Sequence, residues 1–195
     1  LHLCDQHLSH MKAEKIKNKH NLLLEVCLAA QYEGSSLVEK YTEYKQQNND
    51  SNTDICTVLA RSFADIGDII RGKDLFIGYN EKDRNEKKQL QQHLKDIFKK
   101  IYDNLMKDVT KYKKNMAEAE ERYNDLKGDF FQLREDWWDA NRSTVWYAIT
   151  CGAGESDKYF RQTCGINDTW TEGKCRCAGN IRVPTYFDYV PQFLR

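Results

Sequence analysis

The chain has 195 residues, in which 30 Lys plus Arg are balanced by 30 Asp plus Glu. It is long enough for one domain with a hydrophobic core, and its zero net charge gives no field that would favour nucleic acid or a membrane surface. Two prolines and 31% charged residues are typical of a helical protein rather than a β-sandwich or a β-barrel. The longest apolar run, residues 22–30, is about half a bilayer span of ~20 residues and contains Glu25, so we expect no membrane insertion of this segment. The chain opens without a methionine, which indicates a segment of a larger protein.

The first predicted helix covers residues 4–18 and has a basic side. Four lysines near or on its outer side are opposed only by Glu14 and form a candidate anion-binding cluster: Lys12, Lys15, Lys17 and Lys19. The alternative is an ordinary solvated helix face. Cys4, His7 and His10 have a spacing that resembles metal ligands. They would point to different sides of a helix and lack a fourth ligand, so no metal site is expected.

Two further helices follow in the first third of the chain. Residues 22–44 read as a long, central helix that Gly34, Ser35 and Ser36 could kink or split, and residues 46–54 read as a surface loop. Thr53 and Asp54 can cap the next helix. The pattern from Gly67 to Lys73 matches a phosphate-binding loop only superficially. No strand precedes it and its isoleucines keep a helical period, so we reject nucleotide binding.

The middle of the chain predicts a connection and then a very long helix. Residues 72–80 form an irregular connection whose apolar side chains we expect to pack back on the core. Apolar residues then recur at spacings of three and four from Leu90 to Leu126, which indicates one long helix or two nearly collinear ones. Its second half carries another candidate anion-binding cluster, for which the alternative is again a solvated face: Lys107, Lys111, Lys113 and Lys114.

The stretch from Phe130 to Cys151 is the predicted centre of the fold. It holds three of the four tryptophans, with apolar residues at helical spacing. Because each such side chain buries roughly 150–250 Å², several partner helices are needed to cover it. We expect Asp129 to be the N-cap of this helix and Gly152 to follow its end.

Seven cysteines indicate disulfides and an oxidising compartment. The pair Cys175 and Cys177 reads as two disulfide halves more readily than as part of a zinc site that would also use Cys164. Because the count is odd, we predict that Cys4 pairs with a cysteine upstream of Leu1 and that the other six cysteines pair among themselves. Sequence does not choose their connectivity: Cys27, Cys56, Cys151, Cys164, Cys175 and Cys177.

The sequence carries no recognisable catalytic pattern. There is no G-x-S-x-G elbow, and the five histidines lie far in sequence from the cysteine-rich end. We therefore expect neither enzymatic activity nor a cofactor.

Several long motifs carry a family resemblance. They are LHLCD at 1–5, LARSFADIGDI at 59–69, IRGKDL at 70–75, REDWW at 134–138, ANR at 140–142, VW at 145–146, AITC at 148–151 and PTYFDYVPQFLR at 184–195. With these motifs the chain resembles a Duffy-binding-like domain, and within that family the alpha class at the head of the Plasmodium falciparum erythrocyte membrane protein 1 adhesins. The resemblance extends over residues 1–195 and is that of a partial domain: the end of the first subdomain and most of the second, without the C-terminal subdomain.

The resemblance implies an all-α fold, a bundle of long antiparallel helices with irregular disulfide-stapled loops. It also implies adhesion on the surface of the infected erythrocyte, within the ectodomain of a single-pass membrane protein. The implied partners are host erythrocyte or endothelial receptors, heparan-sulfate-like and blood-group glycans, complement receptor one, antibodies and neighbouring domains of the same adhesin, with rosetting as an outcome.

Two other functions are compatible with the sequence. The segment could be a structural module that displays variable surface without its own ligand site. An intracellular coiled-coil scaffold would fit the long helix but not seven cysteines.

Overall fold

The fold is all-α, as predicted. A computed structural model describes residues 8, 16, 19–48, 54–112, 116–165 and 169–195. Its helices are α1 (Lys19–Asn48), α2 (Ile55–Arg71), α3 (Glu81–Tyr112), α4 (Met116–Tyr123) and α5 (Phe131–Ile149), followed by short 3₁₀ turns at Ala178–Asn180, Phe187–Tyr189 and Gln192–Leu194. Within those residues, β-structure is limited to two isolated bridges.

Helix α5 is the centre of the molecule, as its tryptophans predicted. It packs against α1, α2, α3 and α4. Trp138 and Trp146 are fully buried, and Trp137 is nearly so. The inward stripe of α5 therefore has the partners that such a large aromatic surface needs.

The start of α5 differs from the prediction. The N-cap is Phe130, in the left-handed region at φ 54°, and its side chain forms no capping hydrogen bond. The Phe130 amide instead donates to Asp125 at 2.8 Å, while Asp129 forms an ion pair with Lys95 at 2.6 Å. The prediction that Asp129 caps the helix is wrong because this carboxylate is held by α3.

Helix α2 runs antiparallel to α5. Near its middle, the Phe63 ring lies 5.1 Å from that of Trp138 and 5.2 Å from that of Trp146. The Asp54 side chain accepts a hydrogen bond from the Cys56 amide, which confirms the predicted cap. Gly67 lies inside the helix, where an added Cβ would stand 2.8 Å from the Trp138 indole. The prediction that this stretch is helical is correct, and the glycine allows α2 to pack closely on α5.

Helix α1 is continuous through Gly34, Ser35 and Ser36, so the predicted kink or split is wrong. An added Cβ at Gly34 would stand 1.9 Å from the carbonyl oxygen of Ile149. The glycine is needed because the backbones of α1 and α5 touch there, a role that a single sequence does not distinguish from a helix break.

The structure describes two helices, α3 and α4, in the long amphipathic stretch. Leu90, Leu94, Ile97, Phe98 and Ile101 of α3 are buried, in keeping with the predicted periodicity. The helix ends at Tyr112 and α4 begins at Met116. Helix α4 is joined to α5 through Arg122 and Tyr123, which both donate to Asp136.

A buried polar network joins the C-terminal segment to α2 and α5. Its central member is Asp188, whose side chain is inaccessible to solvent. That carboxylate accepts hydrogen bonds from Trp138 Nε1 at 2.9 Å and from Arg142 Nε and Nη2 at 2.8 Å each. Arg71 donates to the Asp188 carbonyl oxygen. We call this arrangement the Asp188 network.

Candidate ligand-binding surface

The two predicted lysine clusters fall largely outside the described residues. Lys19 is exposed at the start of α1, and Lys107 is exposed on α3. Lys111 lies in α3, but its side chain is outside the described part of the structure. The remaining members, Lys12, Lys15, Lys17, Lys113 and Lys114, are outside it as well. The structure therefore leaves both clusters as predictions.

Two disulfides hold the irregular C-terminal third. Cys56 at the start of α2 is bonded to Cys175, and Cys164 is bonded to Cys177. Cys175 and Cys177 therefore belong to different disulfides, the arrangement that the C-x-C pattern favoured. Trp146 Nε1 donates to the Cys175 carbonyl oxygen at 3.0 Å, so the longer disulfide adjoins the centre of the core.

Cys27 and Cys151 are free thiols, so the prediction that six cysteines pair among themselves is wrong. An added Cβ on Gly152 would lie 3.8 Å from the Cα of Ser35, which places the end of α5 beside that turn of α1. Cys27 lies two turns earlier, about 12 Å along the helix. A disulfide needs Cα atoms roughly 4.4–6.8 Å apart, so Cys27 is too far from Cys151 to be bonded to it. Cys4 lies outside the described residues, and its pairing remains a prediction.

We expect the two free thiols to react at very different rates. Burial raises the pKa of the Cys27 thiol to about 11, so little reactive thiolate exists below that pH. The rate at Cys27 should rise roughly tenfold per pH unit from pH 8 to 10, whereas exposed Cys151 should react first. Iodoacetamide labelling followed by peptide mass spectrometry measures both rates, with Cys151→Ser as the control. Equal rates at pH 8 would contradict the partial burial of Cys27.

The connection 72–80 is exposed, contrary to the prediction that it packs on the core. Leu75, Phe76, Ile77 and Tyr79 are 61%, 41%, 74% and 65% accessible. Gly72 turns the chain at φ 75°, and an added Cβ there would meet the Arg134 guanidinium at 2.9 Å. The guanidinium therefore occupies the space directly beneath Gly72, where the chain leaves α2.

Arg134 closes the C-terminal end of α2. Its Nε donates to the Ile70 carbonyl at 2.6 Å, and its Nη2 donates to the Ile69 carbonyl at 3.1 Å and to Gln91 Oε1 at 2.9 Å. The negative end of the α2 dipole favours a cation at this place. Desolvation lowers the pKa of Arg134 to about 10, so the side chain remains protonated at neutral pH.

A groove of about 680 Å³ lies between this connection and α3. We call it the α3 groove. Its floor and walls combine apolar, amide and basic side chains: Ile69, Asp74, Phe76, Ile77, Arg84, Lys87, Lys88, Leu90, Gln91, Gln92 and Lys95. The basic members of this set are not among the lysines that the sequence predicted as anion-binding clusters. The signal that could have found them is the spacing of Arg84, Lys88 and Lys95, which follows one side of a helix just after an apolar connection.

A smaller pocket of about 320 Å³ lies near the N-terminus of α2. Its lining is mainly aromatic, with one carboxylate and one amine: Asp54, Lys158, Tyr159, Phe160 and Trp170.

None of the helices that the structure describes is long and apolar enough to cross a membrane.

Comparisons with known proteins give a consistent result. A family model described as the Duffy binding domain matches residues 1–195. Among solved structures, the NTS-DBL1(alpha-1) domain of Plasmodium falciparum membrane protein 1 (PfEMP1) from the varO strain is 40% identical with a TM-score of 0.72; the match covers 99% of this chain and 40% of that one. The double domain that adds CIDR-gamma is 39% identical with a TM-score of 0.72; the match covers 99% of this chain and 25% of that one.

A more distant solved structure is the ICAM-1-binding DBLbeta domain of PfEMP1 IT4var13. It is 30% identical with a TM-score of 0.65, and the match covers 100% of this chain and 39% of that one. Comparison with curated proteins gave no match. The chain thus spans about two fifths of the single-domain structures that it resembles. The family model and these structures together establish that the chain belongs to the Duffy binding domain family.

Proposed function

We propose that this chain is part of an extracellular adhesion module that binds host receptors or glycans from the surface of the infected erythrocyte. The observation that carries the proposal is its 40% identity, over 99% of its length, to the first domain of a PfEMP1 protein. A second relative of the same family is solved in complex with ICAM-1. Neighbouring domains of the adhesin and host antibodies are further proposed partners.

The ligand component we propose is a sulfated, heparan-sulfate-like glycan, with blood-group carbohydrate and complement receptor one as other candidate receptors and rosetting as the outcome. A sulfated glycan is a flexible polyanion. Lysines on a helix supply compact, rotatable positive charges that can follow its changing shape. Because fields of exposed charges are screened within about 8–10 Å at physiological salt, a neutral chain must bind such a ligand through local clusters.

Replacing either lysine cluster tests the contact sites. We expect retention on heparin to weaken, and the salt dependence to flatten, when four lysines become glutamine in at least one set: Lys12, Lys15, Lys17 and Lys19, or Lys107, Lys111, Lys113 and Lys114. The loss of positive charges reduces the number of counterions released on binding. Thermal stability should hardly change, since exposed charges contribute little to folding.

A matched control keeps the change in net charge constant. It replaces four other exposed residues with glutamine: Lys40, Lys82, Lys99 and Lys100. If both cluster variants elute at the salt concentration of this control, the clusters are not the contact sites. If the unmodified chain is not retained at physiological salt, the glycan component of the proposal fails and the display-module alternative is favoured.

A further inference from the structure

The α3 groove has an uneven distribution of charge. Its lining contains Arg84, Lys87, Lys88 and Lys95 but only one acid, Asp74, although the chain as a whole is neutral. Helix α3 carries three acids and three bases in its first seven residues, but the acids Glu81, Asp83 and Glu86 do not line the groove. The helix therefore turns its basic side toward the cavity.

Two of the four cations are available for a ligand. Lys87 is paired with Asp74, and Lys95 with Asp129. Arg84 and Lys88 are exposed, and in the described part of the chain neither has a carboxylate within ion-pair distance. They are four residues apart on α3, which places their Cβ atoms roughly 5–6 Å apart on the same side of the helix. That spacing allows both side chains to reach one tetrahedral anion.

The floor of the groove adds positive potential. Behind Ile69 lies the guanidinium of Arg134, which is 1% accessible. Its hydrogen-bond partners are neutral oxygens, two main-chain carbonyls and Gln91 Oε1. Among the described residues no carboxylate lies within ion-pair distance of it, and the charges of Asp129 and Glu135 act on it only from farther away. Because a buried charge is screened less than an exposed one, its field extends into the groove.

The outer wall of the groove is apolar. Phe76 and Ile77 are 41% and 74% accessible. The Lys87 ammonium lies 4.5 Å from the centre of the Phe76 ring, and Gln192 accepts from the Leu75 amide at 2.7 Å, so the wall is held in place from two sides. Apolar surface beside a few convergent polar groups is the usual composition of small-ligand sites, and about 680 Å³ lies within their usual range of roughly 300–1,000 Å³.

We infer that the α3 groove binds a sulfated sugar unit, with the sulfate held by Arg84 and Lys88 and the apolar face of the sugar ring packed on Phe76 and Ile77. The inference rests on the proposed function and places the glycan contact at a site outside both lysine clusters. A planar guanidinium donates two parallel hydrogen bonds to an oxyanion, and an ammonium adds a point charge. A pyranose ring also presents C–H groups that can cover exposed aromatic surface.

The test is titration calorimetry of the chain with a heparin octasaccharide. The double variant Arg84→Gln/Lys88→Gln should bind roughly 5- to 30-fold more weakly, as expected for the loss of two exposed charged contacts. The matched control Lys99→Gln/Lys100→Gln removes the same charge from exposed positions of the same helix and should bind like the unmodified chain. Fully desulfated heparin, which keeps its carboxylates, should bind the unmodified chain and the double variant equally weakly.

Three results would overturn the inference, and they separate it from the proposed function. If the unmodified chain binds the octasaccharide and the double variant binds it equally well, the groove is not the site while glycan adhesion stands. An equal loss in both double variants would mean that only net charge matters. If the unmodified chain has no measurable affinity, the glycan component of the proposed function fails together with the inference.

Discussion

We expect Asp188→Ala to lower the free energy of unfolding by about 3–5 kcal/mol, because it leaves buried donors of the Asp188 network without an acceptor. Arg142 and Trp138 direct three hydrogen bonds at this carboxylate, and the Arg142 side chain is only 12% accessible. Truncation therefore strands a nearly buried guanidinium as well as an indole N–H. The loss should appear in urea unfolding as a lower midpoint.

The chain offers a matched control for this substitution at Asp136. That carboxylate accepts two hydrogen bonds from Arg122, at 2.7 and 2.9 Å, and one from Tyr123 at 2.7 Å. The Arg122 side chain is 54% accessible. Water can therefore replace the lost carboxylate, and Asp136→Ala should cost no more than about 1 kcal/mol. If the two substitutions lower the free energy of unfolding by the same amount, water reaches the Asp188 network.

The central part of the fold could be predicted because its cause is local and periodic. The tryptophans of α5 recur at helical spacing and are too large to remain exposed, so the helix had to be covered by others. Asp54 could be assigned as a cap for the same reason: a capping carboxylate acts on an amide two residues away in its own turn.

Features that depend on contacts between distant segments could not be predicted. Gly34 looks like a helix breaker in sequence, but it is required by the carbonyl of Ile149, 115 residues later. The connection 72–80 reads as core by composition, yet its apolar side chains are exposed, and Arg134 from α5 lies beneath its first residue, Gly72. Asp188 has no neighbour in sequence that marks it as buried, since its partners are on α2 and α5.

The candidate site had the same limitation. The lysine clusters were selected because their members are adjacent in sequence. In the sequence, the basic residues of the α3 groove alternate with Glu86 and other acids. Their positive charge becomes apparent only when the helix places the basic and the acidic side chains on different sides. The apolar wall comes from a different segment, and only the fold brings Phe76 to Arg84 and Lys88.

The largest effect we expect is from removing the disulfide between Cys56 and Cys175. It closes a separation of 119 residues, whereas the disulfide between Cys164 and Cys177 closes one of 13. A cross-link restricts the unfolded chain more as the loop that it closes grows longer. Loop-closure entropy therefore predicts losses of about 5 kcal/mol for Cys56→Ala/Cys175→Ala and about 3 kcal/mol for Cys164→Ala/Cys177→Ala.

The second double variant is a fair control because all four cysteines are buried, at 0%, 0%, 3% and 6% accessibility for Cys56, Cys175, Cys164 and Cys177. Removing either pair deletes the same atoms from a dry environment, so the difference of about 2 kcal/mol reports mainly the two loop lengths. Urea unfolding of each variant without reductant measures both losses. If the short loop costs as much as the long one, the disulfides act mainly through the native state. In that case the packing of Trp146 against the Cys175 segment, rather than the cross-link, joins the irregular C-terminal third to the helical core.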